Sequence, residues 1–272
     1  MSDKELKGKV AIVTGAGRLR GIGRAAAVEL AKLGADVVIT GTGRNPDSYP
    51  NDEKASGWKD VESTADQVRA EGGRALPLVV DVSDPAAVQT MMDKTIEEFG
   101  RVDILVNNAA YAMEPALGHI TEVSPEMFQR VQDVKVMGTF LCTQVAARSM
   151  IEKGEGGKVI NISSAAGKRG TPNTLAYNAA CFALIGMTQS MARELGSNGI
   201  NVNCVCPGTT DTSRTDFYGR DDFWAQRMAG TAIGRNGTDS EVGAFIAYLC
   251  TEASSWITGQ SININGGTVM EL

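Results

Sequence analysis

Short apolar runs and segments with helical spacing alternate along the whole 272-residue chain. A strand that is apolar on both faces must be covered on both sides, so this alternation is typical of parallel strands joined through helices. Asp84-Pro85 and Ser124-Pro125 each place a capping side chain before a proline at a helix start. Strands are predicted at Val10–Val13, Val37–Thr40, Ala75–Val80, Ile104–Val106, Val159–Ile162, Val202–Val205 and Gln260–Ile264.

We therefore expect an α/β fold, a doubly wound, seven-stranded parallel sheet flanked by helices. No linker, compositional shift or repeat divides the chain, so residues 1–272 are predicted to form a single domain. Two segments break the rhythm. Residues 41–57 predict a loop, and residues 209–237 predict a lid over a substrate. Each segment comes directly after the carboxyl end of a predicted strand, and doubly wound sheets bind their ligands at this edge.

The charge balance excludes several classes of protein. The chain has 26 Lys+Arg against 32 Asp+Glu, whereas a nucleic-acid-binding protein usually presents a basic face. No apolar stretch reaches the ~18 residues that span a membrane. The start of the chain lacks an apolar signal segment, and the five cysteines are an odd number. We therefore expect a cytoplasmic protein with reduced thiols and with neither nucleic-acid nor membrane partners.

A single histidine, His119, limits the chemistry further. It excludes a metal site built from several histidines, and no metal is expected. If the protein is an enzyme, groups other than histidine are expected to move its protons.

The first predicted strand leads into a glycine-rich turn, residues 14–23, and then directly into a helix. Glycine lets the backbone approach a pyrophosphate closely, and the helix N-terminus offers free N–H groups to it. The turn contains Gly15, Gly21, Ile22 and Gly23. Its strand–turn–helix context favours nucleotide binding.

The end of the second strand indicates which dinucleotide is bound. An NAD site usually has an acid there, which accepts a hydrogen bond from the ribose 2′-OH. Here the strand is followed by Thr42 and Arg44, and Arg20 lies in the glycine-rich turn. Hydroxyl and guanidinium groups suit a 2′-phosphate, so NADP(H) is favoured over NAD(H). In the alternative interpretation both arginines are solvated and Asp47 supplies the acid.

Motifs at the ends of later strands add to this pattern. Asn107-Asn108-Ala109 follows the fourth strand, Ser164 follows the fifth, and Tyr177 lies 13 residues after Ser164. With these motifs nearly the whole chain resembles the short-chain dehydrogenase/reductase family. The resemblance implies a Rossmann-type fold, an NAD(P) cofactor, and Ser164 and Tyr177 as catalytic residues. Further matches to cofactor-binding positions of the family are Asp81, Val82, Asn108, Ala109, Tyr177, Pro207, Gly208 and Thr212.

Three features depart from the family pattern. The turn has five residues between Gly15 and Gly21, where the family usually has three, so we expect the insertion to bulge outward. The family's lysine, four residues after the tyrosine, is Cys181 here. The family's catalytic asparagine on the central helix is Lys135.

The last two departures suggest that a positive charge has moved. Free tyrosine has a pKa of ~10, so it needs a nearby cation to act as an acid or base near neutral pH. Our hypothesis is that Lys135 enters from the neighbouring helix above Cys181 and completes a catalytic set with Ser164 and Tyr177. Two alternatives stay open. One is non-redox chemistry (lyase, isomerase or hydrolytic) on this scaffold, and the other is a catalytically silent nucleotide-binding protein.

The hypothesis predicts NADP(H)-dependent interconversion of a carbonyl and a secondary alcohol in a small-molecule substrate. Segment 209–237 is rich in aromatic residues, which fits a cover over an apolar or aromatic substrate or, equally, helices that dock by apolar faces. Tyr111, Met113 and His119 are candidates for the opposite wall. The resemblance also implies a homo-oligomer, a tetramer or dimer, packed through the helices that carry Lys135 and Tyr177.

Overall fold

Parallel strands form the central sheet of the computed structural model, which describes residues 4–111, 117–219 and 222–271. The strands of this sheet are β1 (Val10–Val13), β2 (Asp36–Gly41), β3 (Ala75–Val79), β4 (Ile104–Asn107), β5 (Gly157–Ile162), β6 (Ile200–Pro207) and β9 (Ser261–Ile264). Their order is β3-β2-β1-β4-β5-β6-β9, which confirms the predicted α/β architecture with seven strands. Two short strands, β7 (Thr210–Asp211) and β8 (Gly237–Thr238), pair with each other outside this sheet.

Helices cover both faces of the sheet, and each face has its own apolar core. On one face the core includes residues of α1 (Ile22–Lys32), α3 (Val61–Ala70) and α9 (Asp239–Leu249). On the other face it includes residues of α4 (Pro85–Phe99), α6 (Gly138–Lys153) and α7 (Leu175–Leu195). The strands between them are buried on both sides, as their continuous apolar runs require. None of the described helices is long and apolar enough to cross a lipid bilayer.

The two predicted helix starts carry the expected caps. The Asp84 side chain accepts a hydrogen bond from the backbone N–H of Ala86 at 2.9 Å. Ser124 does the same for Met127 at 3.1 Å, at the start of α5 (Pro125–Gln132).

Two sequence predictions need correction. Residues 41–57 are not a plain loop, because they contain α2 (Asn51–Ala55), on which Glu53 is fully buried. The helix predicted from Ser124 to about Glu152 is present at residues 125–153, but it is not α-helical throughout. A π-helical turn, Asp133–Met137, separates α5 from α6, and Lys135 lies at its centre. The spacing of apolar residues in the sequence predicts the helix, but it does not indicate that the hydrogen-bond pattern changes at this turn.

Segment 209–237 connects the sheet to α9. It contains β7, a 3₁₀ helix (Ser213–Tyr218), α8 (Asp222–Ala229) and the start of β8. Because β7 pairs with β8, the two ends of the segment lie side by side. The segment is therefore an insertion between β6 and α9 whose two ends are held together by this strand pair.

The strand order reverses between β1 and β4, which lie next to each other at the centre of the sheet. Ligands of doubly wound sheets bind in the crevice outside the carboxyl ends of the strands at this point. The glycine-rich turn follows β1, and the Asn108-Ala109 pair follows β4.

Candidate active site

The ends of β1 and β4 are held together by close backbone contacts. The Asn108 side chain donates to the carbonyl oxygens of Thr14 and Gly15, both at 2.9 Å. Gly15 has φ +67°, and a Cβ there would lie 2.7 Å from the Cα of Ala109. A Cβ on Gly23 would lie 2.5 Å from Asn108 Nδ2. Neither position has room for a side chain.

The first turn of α1 has the features of a phosphate site. Gly21 is its N-cap, and no side chain caps the helix. The backbone N–H of Gly21 donates to Asp239 at 3.0 Å, and the helix proper begins at Ile22. An uncapped helix N-terminus after a glycine-rich turn fits a pyrophosphate, since its N–H groups and dipole both favour negative charge. These residues therefore fit the predicted dinucleotide.

The insertion in the turn folds onto α2 and the residues that follow it. The backbone N–H of Leu19 donates to Glu53 Oε1 at 3.0 Å. The Gly17 carbonyl accepts hydrogen bonds from Trp58 Nε1 at 2.7 Å and from Arg44 at 3.0 Å. The two longer segments of this edge, 14–23 and 41–57, thus support each other.

Arg20 connects the insertion to segment 209–237. Its guanidinium contacts Asp52 at 2.6 Å, Asp211 at 3.0 Å and also Asp216. Burial acts to lower the pKa of Arg20, but hydrogen bonds to Asp216 and Asp52 outweigh it and raise the pKa. The Arg20 carbonyl also accepts from the Ser213 N–H at 3.0 Å. The guanidinium predicted to hold a 2′-phosphate is therefore engaged by three protein carboxylates.

Arg44 and Arg18 lie near each other beside the end of β2. Arg44 donates to Glu53 at 2.8 Å, and its guanidinium carbon lies 4.6 Å from the centre of the Tyr49 ring. Arg18 makes no ion pair with any described residue. Burial lowers its pKa, and the charge of Arg44 adds to the effect. Thr42 is exposed beyond β2, and Asp47, the alternative acid, is exposed on the surface.

The predicted adenine-contacting pair lies after β3. Asp81 accepts hydrogen bonds from Ser83 and, at 3.0 Å, from Arg130. Burial acts to raise the pKa of Asp81, but these hydrogen bonds outweigh it and hold the pKa below its usual value. Val82 is buried and packs closely against Gly138. A Cβ added to Gly138 would lie only 2.6 Å from the Val82 side chain.

A cavity of about 210 Å³ lies at the carboxyl ends of β4, β5 and β6. It brings together residues that the sequence analysis predicted separately. Its lining includes Lys135, Ser164 and Tyr177, and also Ile22, Asn108, Pro207, Gly208 and Thr212.

Lys135 reaches this cavity from the π-helical turn. Its side chain is 3% exposed, and Nζ donates to the Ile162 carbonyl at 2.8 Å. Nζ lies 5.6 Å from the centre of the Tyr177 ring. Burial lowers the pKa of the Lys135 ammonium, and it raises the pKa of the Cys181 thiol, which therefore stays neutral at pH 7. The ammonium thus lies near the tyrosine with no thiolate to oppose it.

Tyr177 has a second cation close by. The guanidinium carbon of Arg214 lies 5.2 Å from the centre of its ring. Burial raises the pKa of Tyr177, while the charge of Arg214 and the hydroxyl of Ser164 act to lower it without outweighing burial. In this state the phenol is protonated, as a proton donor to a carbonyl oxygen must be. Arg214 was only one of several lid arginines in the sequence, and its contact with Tyr177 has no sequence signal.

Asn178, another residue without a sequence signal, ties the Ser164 loop to α7. Its Nδ2 donates to the carbonyls of Ala166 at 2.8 Å and Arg169 at 2.9 Å. Its Oδ1 accepts from Thr171 at 3.0 Å. Because Ser164 precedes this loop and Tyr177 precedes Asn178, these hydrogen bonds fix the two predicted catalytic residues relative to each other.

The predicted opposite wall is only partly described. Met113 lies outside the described residues. His119 is exposed, contacts Thr121 through Nδ1 at 2.9 Å, and is not among the residues that line the cavity.

Comparison with known proteins places this site in a family. Residues 15–269 match the profile of the family described as enoyl-(acyl carrier protein) reductase. A short-chain dehydrogenase/reductase of Armillaria gallica is 35% identical over 271 residues, which cover 97% of each protein. The chain belongs to the short-chain dehydrogenase/reductase family.

Other members of the family are similar over the same length. The 3-oxoacyl-[acyl-carrier-protein] reductase of Synechocystis is 34% identical over 266 residues, covering 97% of this chain and 98% of that protein. The crystal structure of carveol dehydrogenase from Mycobacterium avium in complex with NAD has a TM-score of 0.87 at 27% identity, covering 98% and 99% of the two chains. This short-chain dehydrogenase/reductase is therefore an oxidoreductase built to bind a nicotinamide dinucleotide.

The hydrogen bonds of Asn178 in this dehydrogenase/reductase lead to a first prediction. Asn178→Ala should lower the free energy of unfolding by about 2 kcal/mol, because it removes a buried amide that bonds two partly buried carbonyls of the loop. Turnover should fall as well, since the Ser164 loop loses its attachment to α7. Urea denaturation and steady-state rates measure the two effects. Asn198→Ala, at an exposed position, is the control, and an equally small effect at both positions would contradict this role.

Proposed function

We propose that the protein interconverts a carbonyl and a secondary alcohol with NADP(H), with Tyr177 as the acid/base and Lys135 in place of the family's lysine. The observation that carries the proposal is the meeting of Ser164, Tyr177 and Lys135 in one cavity. When bound, the nicotinamide ring supplies or accepts the hydride. The glycine-rich turn and the uncapped start of α1 would hold the pyrophosphate.

The protein's own groups would manage the proton and the substrate oxygen. Ser164 would donate a hydrogen bond to that oxygen and orient it. Tyr177 would donate its proton in the direction of reduction and accept one in the direction of oxidation. Lys135, 5.6 Å from the Tyr177 ring centre, would stabilise the phenolate by its charge. Cys181 would contribute by being small and neutral, which leaves space for the ammonium.

Lys135→Met should show whether this lysine tunes the tyrosine. Without the cation the pKa of Tyr177 rises, so we expect kcat to fall roughly 10- to 100-fold at pH 7. The pH at which alcohol oxidation becomes active should also rise by about one unit or more. Both can be measured with methyl acetoacetate and its alcohol. Lys158→Met removes another buried lysine with a lowered pKa, bonded to Asn201 rather than to the cavity, and is the control.

The double variant Lys135→Asn with Cys181→Lys restores the family arrangement, so it should recover activity that Lys135→Asn alone loses. An unchanged pH profile in Lys135→Met would contradict the role of this lysine. If wild-type protein binds NADPH but oxidises it with none of a panel of ketones, oxo acids and oxo esters, the silent alternative holds instead.

Preference for NADP(H) is supported by the end of β2. The two carboxylates there are already engaged. Glu53 accepts from Leu19 and Arg44, and Asp60 accepts from the Arg44 backbone at 3.1 Å. Both are bonded to neighbouring protein groups, whereas Arg18 has no carboxylate partner among the described residues and is a cation that a 2′-phosphate would pair with. We assign the 2′-phosphate to Arg18 and Arg44, and Arg20 to the support of segment 209–237.

Arg18→Leu should therefore weaken NADPH binding about 10- to 100-fold and leave NADH binding nearly unchanged, because it removes a charge-assisted contact to phosphate. Fluorescence titration with each nucleotide measures this, with Arg69→Leu on the exposed face of α3 as the control. Equal losses for both nucleotides would place Arg18 at the pyrophosphate instead. Tighter binding of NADH than NADPH by the wild type would contradict the preference itself.

The helices that carry Lys135 and Tyr177 also support the proposed homo-oligomer. Among their exposed residues are Met137, Phe140 and Ile151 on one, and Leu175 and Phe182 on the other. Exposed apolar side chains of this size favour contact with another subunit. Light scattering should give two or four times the 28.7 kDa chain mass, and Phe140→Glu with Phe182→Glu should reduce it. A wild-type monomer at micromolar concentration would contradict the proposal.

The five cysteines are buried and unpaired, which supports the proposal that the protein resides in the cytoplasm, a reducing compartment.

A further inference from the structure

The cavity around Tyr177 has an unusual charge. Its lining residues include four cations, Lys135, Arg169, Arg214 and Arg227, and no aspartate or glutamate among the residues that the structure describes. The chain as a whole is acidic, with a net charge of -6. A concave site lined by one sign of charge concentrates ligands of the opposite sign. The cavity therefore favours an anion.

Arg214 is the cation best placed to bind it. Its Nε is buried and has no hydrogen-bond partner. No described residue forms an ion pair with it. Other arginines of this edge are compensated: Arg24 contacts Asp239 at 2.6 Å, and Arg20 contacts three carboxylates. A buried, charged donor without an acceptor is costly, so an acceptor supplied by a ligand would satisfy it.

Two molecules could supply that acceptor, the dinucleotide through its phosphates or the substrate through an acidic group. The phosphates already have the turn, the start of α1 and Arg18 to bind them. Arg214 lies 5.2 Å from the Tyr177 ring centre, next to the group that must meet the reacting oxygen. Its position therefore favours the substrate.

We propose that the substrate carries a carboxylate, which Arg214 binds while Ser164 and Tyr177 hold its carbonyl or alcohol oxygen. The guanidinium fork matches the two oxygens of a carboxylate. This inference rests on the proposed carbonyl–alcohol interconversion and names its substrate class.

The size of the cavity limits that class. A volume of about 210 Å³ is below the roughly 300–1,000 Å³ of pockets for drug-sized ligands. Because Arg214 and Tyr177 line the same small cavity, with the guanidinium 5.2 Å from the ring centre, few carbons can separate the carboxylate from the carbonyl. The substrate is a small 2- or 3-oxo acid or the corresponding hydroxy acid. In its reduction, hydride adds to the carbonyl carbon, a proton from Tyr177 goes to the oxygen, and NADPH becomes NADP⁺.

A carboxylate on Arg214 would also change the charge beside Tyr177. Once Arg214 is neutralised by the substrate, its charge no longer acts on the phenol. Lys135 donates to the Ile162 carbonyl, so a carboxylate bound to Arg214 leaves this lysine beside Tyr177. The two cations would then have separate roles, one for the substrate and one for the tyrosine.

Pairs of probes that differ only in the charge test this proposal. Acetoacetate and methyl acetoacetate cover the 3-oxo spacing, and 2-oxobutanoate and its methyl ester cover the 2-oxo spacing. The wild type should show higher kcat/KM for at least one acid than for its ester. Arg214→Leu should lower the ratio of the acid's kcat/KM to the ester's kcat/KM about 10- to 100-fold, because both probes lose the charge beside Tyr177 but only the acid loses its binding partner. Arg214→Lys should lie between them, and Arg69→Leu should behave like the wild type.

Several outcomes would overturn the carboxylate site. These are higher kcat/KM for both esters in the wild type, equal losses for acid and ester in Arg214→Leu, and a loss confined to the affinity for NADPH. Higher kcat/KM for dihydroxyacetone phosphate than for either acid would assign the cation to a phosphate instead. Retained NADPH binding in Arg214→Leu establishes that the variant is folded.

A binding measurement separates this inference from the proposed function. If no probe is reduced, the carbonyl–alcohol proposal fails, and acetoacetate and 2-oxobutanoate are titrated into the complex with NADP⁺ by calorimetry. Binding of either by the wild type that Arg214→Leu loses would still support the anion site. Absence of binding would overturn the site as well.

Discussion

The close approach of β1 and β4 is the contact on which the rest of the site depends. Asn108 bonds two carbonyls of the turn after β1, and Gly15 and Gly23 leave no room for side chains between the two strand ends. This contact fixes the turn, and with it the direction of α1. The cavity with Tyr177 opens beside the same junction, because Ile22 and Asn108 line it too. The proposed cofactor and substrate positions thus both depend on this one contact.

The insertion in the turn extends this junction rather than disturbing it. Glu53 on α2 holds Leu19 and Arg44, and Arg20 holds segment 209–237 through Asp211 and Asp216. Most of these groups are charged and partly buried, where an unpaired charge would be costly. An insertion of only two residues therefore connects three segments that are distant in the sequence.

Strands, capped helices and the meeting of Ser164 with Tyr177 could be predicted from the sequence. Burial on both faces leaves continuous apolar runs, and strand ends in a parallel sheet share one edge. The partners of Arg20 and the contact between Arg214 and Tyr177 could not. They depend on the path of loops whose conformation arises from tertiary hydrogen bonds, such as that between Ser213 and Arg20. Thus the candidate catalytic residues were accessible to sequence reasoning, but the contacts of Arg20 and Arg214 were not.

The π-helical turn at Asp133–Met137 has a geometric consequence. Its hydrogen bonds span five residues instead of four, so the turn contains one residue more than an α-helical register provides. At 3.6 residues per α-helical turn, one residue corresponds to about 100° of rotation, and the faces of α5 and α6 are offset by this angle. α5 can therefore pack on α7 while α6 packs on α4, although the two helices follow each other without a break in the chain. Lys135 lies within this turn, and from there its side chain reaches the Ile162 carbonyl and the Tyr177 ring.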